Sequence, residues 1–555
     1  MVDNQKRMMM AIAASFLFLM LWSKYFGPKP AAPTKAAPVS TQSVTTTTEL
    51  PSSENTSVLD SDTSIEPTPT PEKNIPTIAQ ETVMVDFDHF DAVIDNRMGA
   101  ITDITLHAYK KELKKNASGM QIVPIELADL PPMLWDLEIV EGEKTYGFTD
   151  QQATYEWIER GENGHYRLRT QVGPVEIEKT YAWDADTYQV KQSLLLVNRS
   201  NNRLVIDAHT NMYAAKDPLR KPKTGFLSLF QARQTPTRVV SLFDDKVERF
   251  DFAKIAKGNL ELPQGAIGWA GFESQYFLMS LMPTVGLWKD IQLYAPDEMH
   301  SQIQYNYAQR DIKPQSSVKY EMSLYAGPKD IAVLTSIDDS LKYSIDLGGW
   351  LGPISRLILR ALRMLYQWLG NYGLAIIILT VFVRLLMFPL AQKQAKSMKK
   401  MQDHKPQMDA LKEQYADNKE EYSRALMQYM RSNRINPAGG CFPLLIQFPI
   451  FIALYRVLYN SIELRHAPFF GWIHDLSAYD PYFVLPALVG ITFFFQTKLN
   501  PTPISDPTQA AMMKFMPVMF SVLMIFLPSG LNLYIFVSTL WGIVQQYWVQ
   551  KSKTV

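Results

Sequence analysis

Two hydropathic regimes divide the chain. Between about residue 81 and residue 330, apolar and polar residues alternate one by one in short segments: VMVDFDHF (83–90), HYRLRTQ (165–171), VEIEKTYAW (175–183), YQVKQSLLLVN (188–198), YFLMSLM (276–282), IQLYA (291–295), SQIQYNY (301–307) and VKYEMSLYAG (318–327). A period of two places every second side chain on one face, so these segments predict strands with one buried face, each closed by Gly, Pro, Asn or Asp. Many short strands without long intervening helical repeats predict an antiparallel β-sandwich over 81–330. After Pro328 the period lengthens to that of a helix. The segment 331–367 places Arg356, Arg360 and Arg363 on one stripe and Ile354, Leu357, Leu362 and Leu365 elsewhere, as in a helix lying in a membrane interface. A helix packed on the sandwich remains the other reading.

Continuous apolar runs follow at 373–390, 442–459, 482–496, 515–527 and 531–548. An earlier one, 8–22, stands behind Lys6 and Arg7; the aromatic residues Trp22, Tyr25 and Phe26 at its end favour an uncleaved anchor over a cleaved signal. Together they predict six transmembrane helices, five of them forming a core. A bilayer of about 30 Å needs about 20 helical residues, so 482–496 and 515–527 must borrow flanking residues or meet a thin bilayer.

The expected order is therefore an anchor at 1–26, a Pro/Thr/Ser-rich disordered tether at 27–80, the sandwich at 81–330, and the connector with its interfacial helix at 331–367. A second membrane helix at 368–391, a cytoplasmic helical hairpin at 392–440, four more spans within 441–550 and a short tail at 551–555 complete it. Lys and Arg fix the orientation: the segment 392–440 holds ten of them, whereas 461–481 offers only Arg465. The first is expected in the cytoplasm, as are both termini, and the sandwich outside it.

Charge and cysteine narrow the chemistry. The 55 Lys+Arg balance the 55 Asp+Glu, which argues against direct nucleic-acid recognition, and a single cysteine, Cys441, excludes an internal disulfide framework and a Cys-based metal site. No phosphate-binding Gly-rich loop, HExxH helix or GxSxG elbow occurs, so neither a cofactor nor an enzymatic activity is expected. His89, His107, His165 and His209 could serve a sugar-modifying site, but scattered histidines on strands are ordinarily surface or satisfied residues.

The informative cation is Arg384, alone among charged residues in GLAIIILTVFVRLLMFPL (373–390). Arginine near mid-bilayer costs about 2.5–3.5 kcal/mol on insertion scales. Two readings stay open from this helix: a side chain snorkelling to the headgroups, or a cation kept in a wet recess for a partner or substrate. The other apolar runs carry Thr380, Gln447, Tyr455, Thr492, Gln496, Ser521, Asn532, Tyr534, Ser538, Gln545 and Gln546, which serve either as interhelical glue or as the lining of such a recess. In the hairpin, Met398, Met401, Met408, Met427 and Met430 recur at helical intervals. They predict mutual packing of two arms, or adaptable contacts with passing apolar segments.

The stretches NPAGGCFPLLIQFPIFIALYRVL (436–458), ELRHAPFFGWIHDLSAYDPYFVLP (463–486), DPTQAAMMKFMPVMF (506–520), PSGLNLYIFVS (528–538) and NRMGAITDITLHAYKKEL (96–113) resemble the Gram-negative type of the YidC/Oxa/Alb family of membrane insertases. The resemblance covers anchor, tether, sandwich and five-helix core. It implies a polytopic α-helical membrane protein of the bacterial inner membrane with a periplasmic antiparallel β-supersandwich, and a hydrophilic groove open to cytoplasm and lipid. It further implies insertion and folding of nascent inner-membrane proteins, alone or with the Sec translocon; since some 15 apolar residues release several kcal/mol on entering lipid, nucleotide hydrolysis is not expected to be needed. The ribosome, the signal recognition particle receptor and membrane lipids are further candidate partners. The family's groove arginine maps onto Arg384 with Thr380 before it; Gln447, Asn532 and Tyr534 are the other expected groove residues, and the family's hairpin maps onto 392–435. Two departures stand out: the pair Leu385 and Leu386, which narrows the local cavity, and the short tail, which bears on ribosome contact through a longer basic one. An anion transporter and a membrane-anchored periplasmic sugar enzyme are the rival classes.

Overall fold

The computed structural model describes residues 78–551 apart from 115, 124–129, 162–163, 185, 217–236, 259, 263–266, 284–287, 416–417, 434, 436–441 and 500–506. The expected anchor and nearly all of the expected tether lie outside the described residues. Ala410–Gln428 fall in a unit of their own, separate from Ile78–Asp409 with Tyr429–Val555.

Period-two alternation becomes three antiparallel sheets. Thr82–Asp86, Phe90–Asp95, Ala100–Lys110 and Gly119–Gln121 form a four-stranded meander. A nine-stranded sheet has at its centre Gln189–Asn198, paired on one side with Val175–Asp184 and on the other with Ser317–Pro328. A seven-stranded sheet is built around Leu204–Ala215, between Leu134–Glu141 and His300–Tyr307. One apolar core takes side chains from all three, among them Ile94, Ile104, Trp135, Ile177, Leu194, Ile206, Ile303 and Leu324. Within it Val175, Ile177, Lys179 and Tyr181 point inward from one strand, so a lysine occupies a position that alternation reserves for a hydrophobe.

Eleven α-helices are described: α1 (Phe252–Ile255), α2 (Ile331–Ile337), α3 (Gly352–Leu369), α4 (Tyr372–Leu386), α5 (Phe388–Asp403), α6 (Lys405–Gln414), α7 (Lys419–Ser432), α8 (Phe442–Asn460), α9 (Val484–Leu499), α10 (Pro507–Met524) and α11 (Ser529–Lys551). The helix α3 buries Ile358, Leu359 and Leu362 against α4 and α8, while Leu357, Met364 and Trp368 stay exposed on its other side. It stops at Gly370, left-handed at φ 63°, and Asn371 then caps α4 by accepting from the Leu374 amide. Gly373 lets α4 approach Phe469 so closely that a Cβ there would lie 2.0 Å from the ring.

The run 373–390 is not one helix. It ends at Leu386 and restarts at Phe388, where Pro389 fits the first turn of α5 because that turn needs no amide donor. The 15 residues of α4 rise only about 22 Å. Among the described residues no helix is long and apolar enough to cross a membrane; the first of the six expected spans lies outside them, and the count of six is not confirmed. The reasons that can be read are that break, the 16-residue length of α9, and the glutamines that dilute α11.

Two buried charge clusters join sandwich to helices. Glu273, fully buried, accepts from Arg238 Nε at 2.6 Å and Arg249 Nε at 2.8 Å on one oxygen, and from Lys329 Nζ at 2.7 Å on the other. Arg238 and Arg456 of α8 both face Asp346, at 3.7 and 3.4 Å, and Asn460 of α8 donates to the Asp346 carbonyl at 2.8 Å. Apolar contact runs alongside: Val240, Leu242, Trp269, Leu278 and Tyr325 of the nine-stranded sheet share one buried cluster with Leu334, Ile358, Ala375, Leu454 and Val457.

In the second cluster Arg363 of α3 lies 3.3 Å from Asp330, the N-cap of α2, and 3.6 Å from Glu463, in the turn after α8. Burial, with Asp330 beside it and against the pull of Arg363, raises the Glu463 carboxyl to about 7. Its folded pKa exceeds its ordinary 4.5, so its contribution to stability is complete below pH 4.5 and disappears as pH rises through about 7. The shift corresponds to roughly 3 kcal/mol. The melting temperature of the full-length protein in detergent is therefore expected to fall between pH 5 and 7.5, and Glu463→Gln to flatten that slope. Parallel slopes for the two proteins would refute the assignment.

Candidate functional site

Arg384 stands in the last turn of α4, half-buried, and turns sideways to α11: its Nε donates to Ser538 Oγ at 2.9 Å, and its Nη2 donates to the same oxygen. Helical periodicity explains the meeting. Thr380 and Arg384, four residues apart, share a face of α4, and Tyr534, Ser538, Trp541 and Gln545 share a face of α11, which packs against α4. The neighbours Leu385 and Leu386 point away and are 52% and 71% exposed.

The expected groove residues occupy different places. Thr380 is buried, and its hydroxyl is committed to the Ile376 carbonyl of its own helix at 2.6 Å. Tyr534 is buried with its ring 6.2 Å from that of Phe451. Asn532 lies six residues before Ser538, about 9 Å along the helix. It donates to the carbonyls of Met524 and Leu527 at 2.9 and 3.2 Å, closing the turn between α10 and α11. The Gln447 side chain lies outside the described residues, as does that of Met398. The structure thus brings Arg384, Thr380 and Tyr534 into one region of the α4–α11 interface and leaves Asn532 at the far turn.

Further polar bonds tie α11 to its neighbours. Thr539 meets Thr492 of α9 at 3.0 Å, Gln546 donates to the Leu499 carbonyl at 3.0 Å, and Gln545 donates to the Phe388 carbonyl at 3.4 Å. The buried Trp541 Nε1 has no hydrogen-bond partner among the described residues. Ser538 and Trp541 were not singled out in the sequence, where Ser538 is one of eleven polar positions; its four-residue spacing from Tyr534 is the signal that could have marked it.

In the hairpin, His404 Nδ1 meets Tyr429 Oη at 2.8 Å, which joins the start of one arm to the end of the other. Met408 is buried, Met401 and Met430 are half-buried, and Met427, in the unit of Ala410–Gln428, is 49% exposed. The four sandwich histidines do not converge: His107 Nε2 lies 2.6 Å from Asp91, which raises its pKa, whereas His209 lies 3.4 Å from Asp136 on another sheet. Among the described residues no group of acidic, histidine or cysteine side chains could hold a metal ion.

Residues 82–361 match the family model described as YidC periplasmic domain, and 364–554 match that described as 60Kd inner membrane protein. Membrane protein insertase YidC of Methylobacillus flagellatus is 32% identical over 99% of this chain and 97% of its own length. Those of Geotalea daltonii and Hahella chejuensis are 31% and 30% identical, over 99% and 97% of this chain and 99% and 95% of theirs. Among solved structures, an active YidC insertase with its first transmembrane domain resolved is 17% identical, with TM-score 0.36, covering 86% of this chain and 94% of that one. A galactose mutarotase related enzyme from Lactobacillus acidophilus is 9% identical, with TM-score 0.30, covering 44% and 97%.

Sandwich and helical core, with the two family models and the insertase relatives, define an inner-membrane protein with a periplasmic β-sandwich domain. The chain belongs to the YidC family of membrane protein insertases, and is accordingly not an enzyme.

Proposed function

We propose that this protein inserts nascent inner-membrane proteins into the bilayer through a polar groove centred on Arg384, alone or beside the Sec translocon, and without nucleotide hydrolysis. The observation that carries the reading is the guanidinium turned towards α11 and held on Ser538 instead of extended along α4. The helices α4 and α8–α11 enter the bilayer, whose local thinning accommodates their short apolar lengths. The hairpin and both termini face the cytoplasm and the sandwich the periplasm.

In this mechanism the incoming chain first meets the hairpin at its methionines, with the exposed Met427 foremost among those described. Its polar flank then enters beside Arg384, with Thr380, Gln447, Asn532 and Tyr534 on the surrounding helices. An acidic flank gains charge attraction there. The apolar segment meanwhile slides into lipid, each Leu, Ile, Val or Phe contributing about 0.3–0.6 kcal/mol, so that some 15 residues release several kcal/mol. A membrane potential positive outside adds roughly 2.3 kcal/mol per negative charge per 100 mV for full crossing.

The test replaces the cation in cells depleted of the native protein and scores insertion of a reporter with an acidic flank. Arg384→Lys is expected to retain most activity, Arg384→Ala to lose about ten-fold, and Arg384→Glu to abolish insertion, since about 1.4 kcal/mol already corresponds to ten-fold. Equal performance of all three would remove the charge from the mechanism.

A further inference from the structure

We propose that Ser538 is a positioning residue for Arg384, fixing which edge of the guanidinium is offered to an incoming chain. This inference rests on the groove reading above. An arginine in the last turn of a helix has the reach to run past the helix end to the headgroups, so something must hold it sideways. Its own helix offers nothing: the Thr380 hydroxyl, one turn back, is spent on the Ile376 carbonyl, and Leu385 and Leu386 are apolar. Ser538 supplies the restraint from across the interface, on α11, and is only 3% exposed, so water is a weak competitor for its oxygen.

The geometry is selective. A guanidinium carries five N–H groups in a rigid fork. The side edge, formed by Nε and Nη2, converges here on one oxygen. A serine oxygen has two lone pairs, so accepting both bonds fills it, and its own proton must point elsewhere. What Ser538 leaves uncovered is the end edge, formed by Nη1 and the second N–H of Nη2. That edge matches a carboxylate with two parallel hydrogen bonds. The pair therefore favours end-on capture of an Asp or Glu side chain in the translocated flank. A lysine would contribute charge at this place without an edge to orient, so Ser538 should matter little beside it.

Two reporters identical except for Asp or Asn in the translocated flank, expressed in depleted cells with full-length variants at matched abundance, test the assignment. Ser538→Ala is expected to lower the Asp-to-Asn insertion ratio about five-fold. Ser538→Thr, which keeps the hydroxyl, should restore the ratio, and in an Arg384→Lys background Ser538→Ala should leave it unchanged. An unaltered ratio in Ser538→Ala, an equal loss for both reporters, or a threonine variant as poor as alanine would each overturn the positioning role. Arg384→Ala separates the two claims: if it leaves the ratio intact, the groove reading itself falls, whereas if it collapses the ratio and Ser538→Ala does not, only Ser538 is released.

Discussion

Replacing Lys179 by Met, or Asp150 by Asn, is expected to destabilise the β-sandwich by about 3–5 kcal/mol, the range found when one partner of a buried pair is left behind. Both side chains are wholly inaccessible, with Nζ 2.5 Å from the carboxylate. The ammonium also donates to the carbonyls of Met98 and Gly99 at 3.0 and 3.1 Å. The carboxylate also accepts from Tyr155 Oη at 2.6 Å and from the Trp135 amide at 2.6 Å. Burial pushes the Asp150 carboxyl up and the Lys179 ammonium down, each towards neutrality, and their mutual attraction opposes both shifts. Every polar atom of the pair therefore has a partner that would be orphaned by a single substitution. Met98 and Gly99 lie between two strands of the four-stranded sheet, so the same lysine pins that sheet to the nine-stranded one. Urea unfolding of the full-length protein in detergent, followed by tryptophan fluorescence, measures the cost. The double variant Asp150→Asn/Lys179→Met should lose less than the sum of the single losses, because it leaves no stranded charge. Single losses below 1 kcal/mol would refute the account.

Glu273→Gln should have a comparable effect, again about 3–5 kcal/mol, but at the junction and not inside the sandwich. Burial alone would raise this carboxyl; Lys329, Arg249 and Arg238 outweigh it and hold it down to about 2. A depressed carboxyl contributes stability above its ordinary 4.5 that is lost only as pH falls through about 2, so the cluster stays intact across the range in which Glu463 titrates. With an amide in its place three cations repel one another. Arg249 also donates to the Ser344 carbonyl and Arg238 faces Asp346, so the disturbance passes directly to the connector that meets α8. The expected observation is faster protease cleavage within 331–351, while the Asp150–Lys179 region keeps its protection. Cleavage at the native rate would show that the apolar cluster alone fastens sandwich to helices.

How much was legible differs by element. Alternation located the strands with one wet face, such as Val175–Asp184 and His300–Tyr307. It passed over Arg238–Phe243 and Ile267–Glu273, whose middles are buried on both faces and so lose the period of two. The helical core was legible as apolar runs, but not the division of 373–390 at Met387, because hydropathy does not register where a proline resets the hydrogen-bond ladder. Arg384 was conspicuous because a lone cation in an apolar run is costly. Asn532 was grouped with it by residue type, yet its amide closes a turn.

The order of residues by itself determined the strand-rich domain, the apolar helices after it, the lone arginine among them and the family, since all of these rest on local periodicity, solvation cost or contiguous motifs. Only the tertiary structure decided that Ser538 holds Arg384, that Asp150 meets Lys179 and that Glu273 gathers three cations. Partners 154, 29 and up to 56 residues apart are joined by topology, which no local pattern encodes.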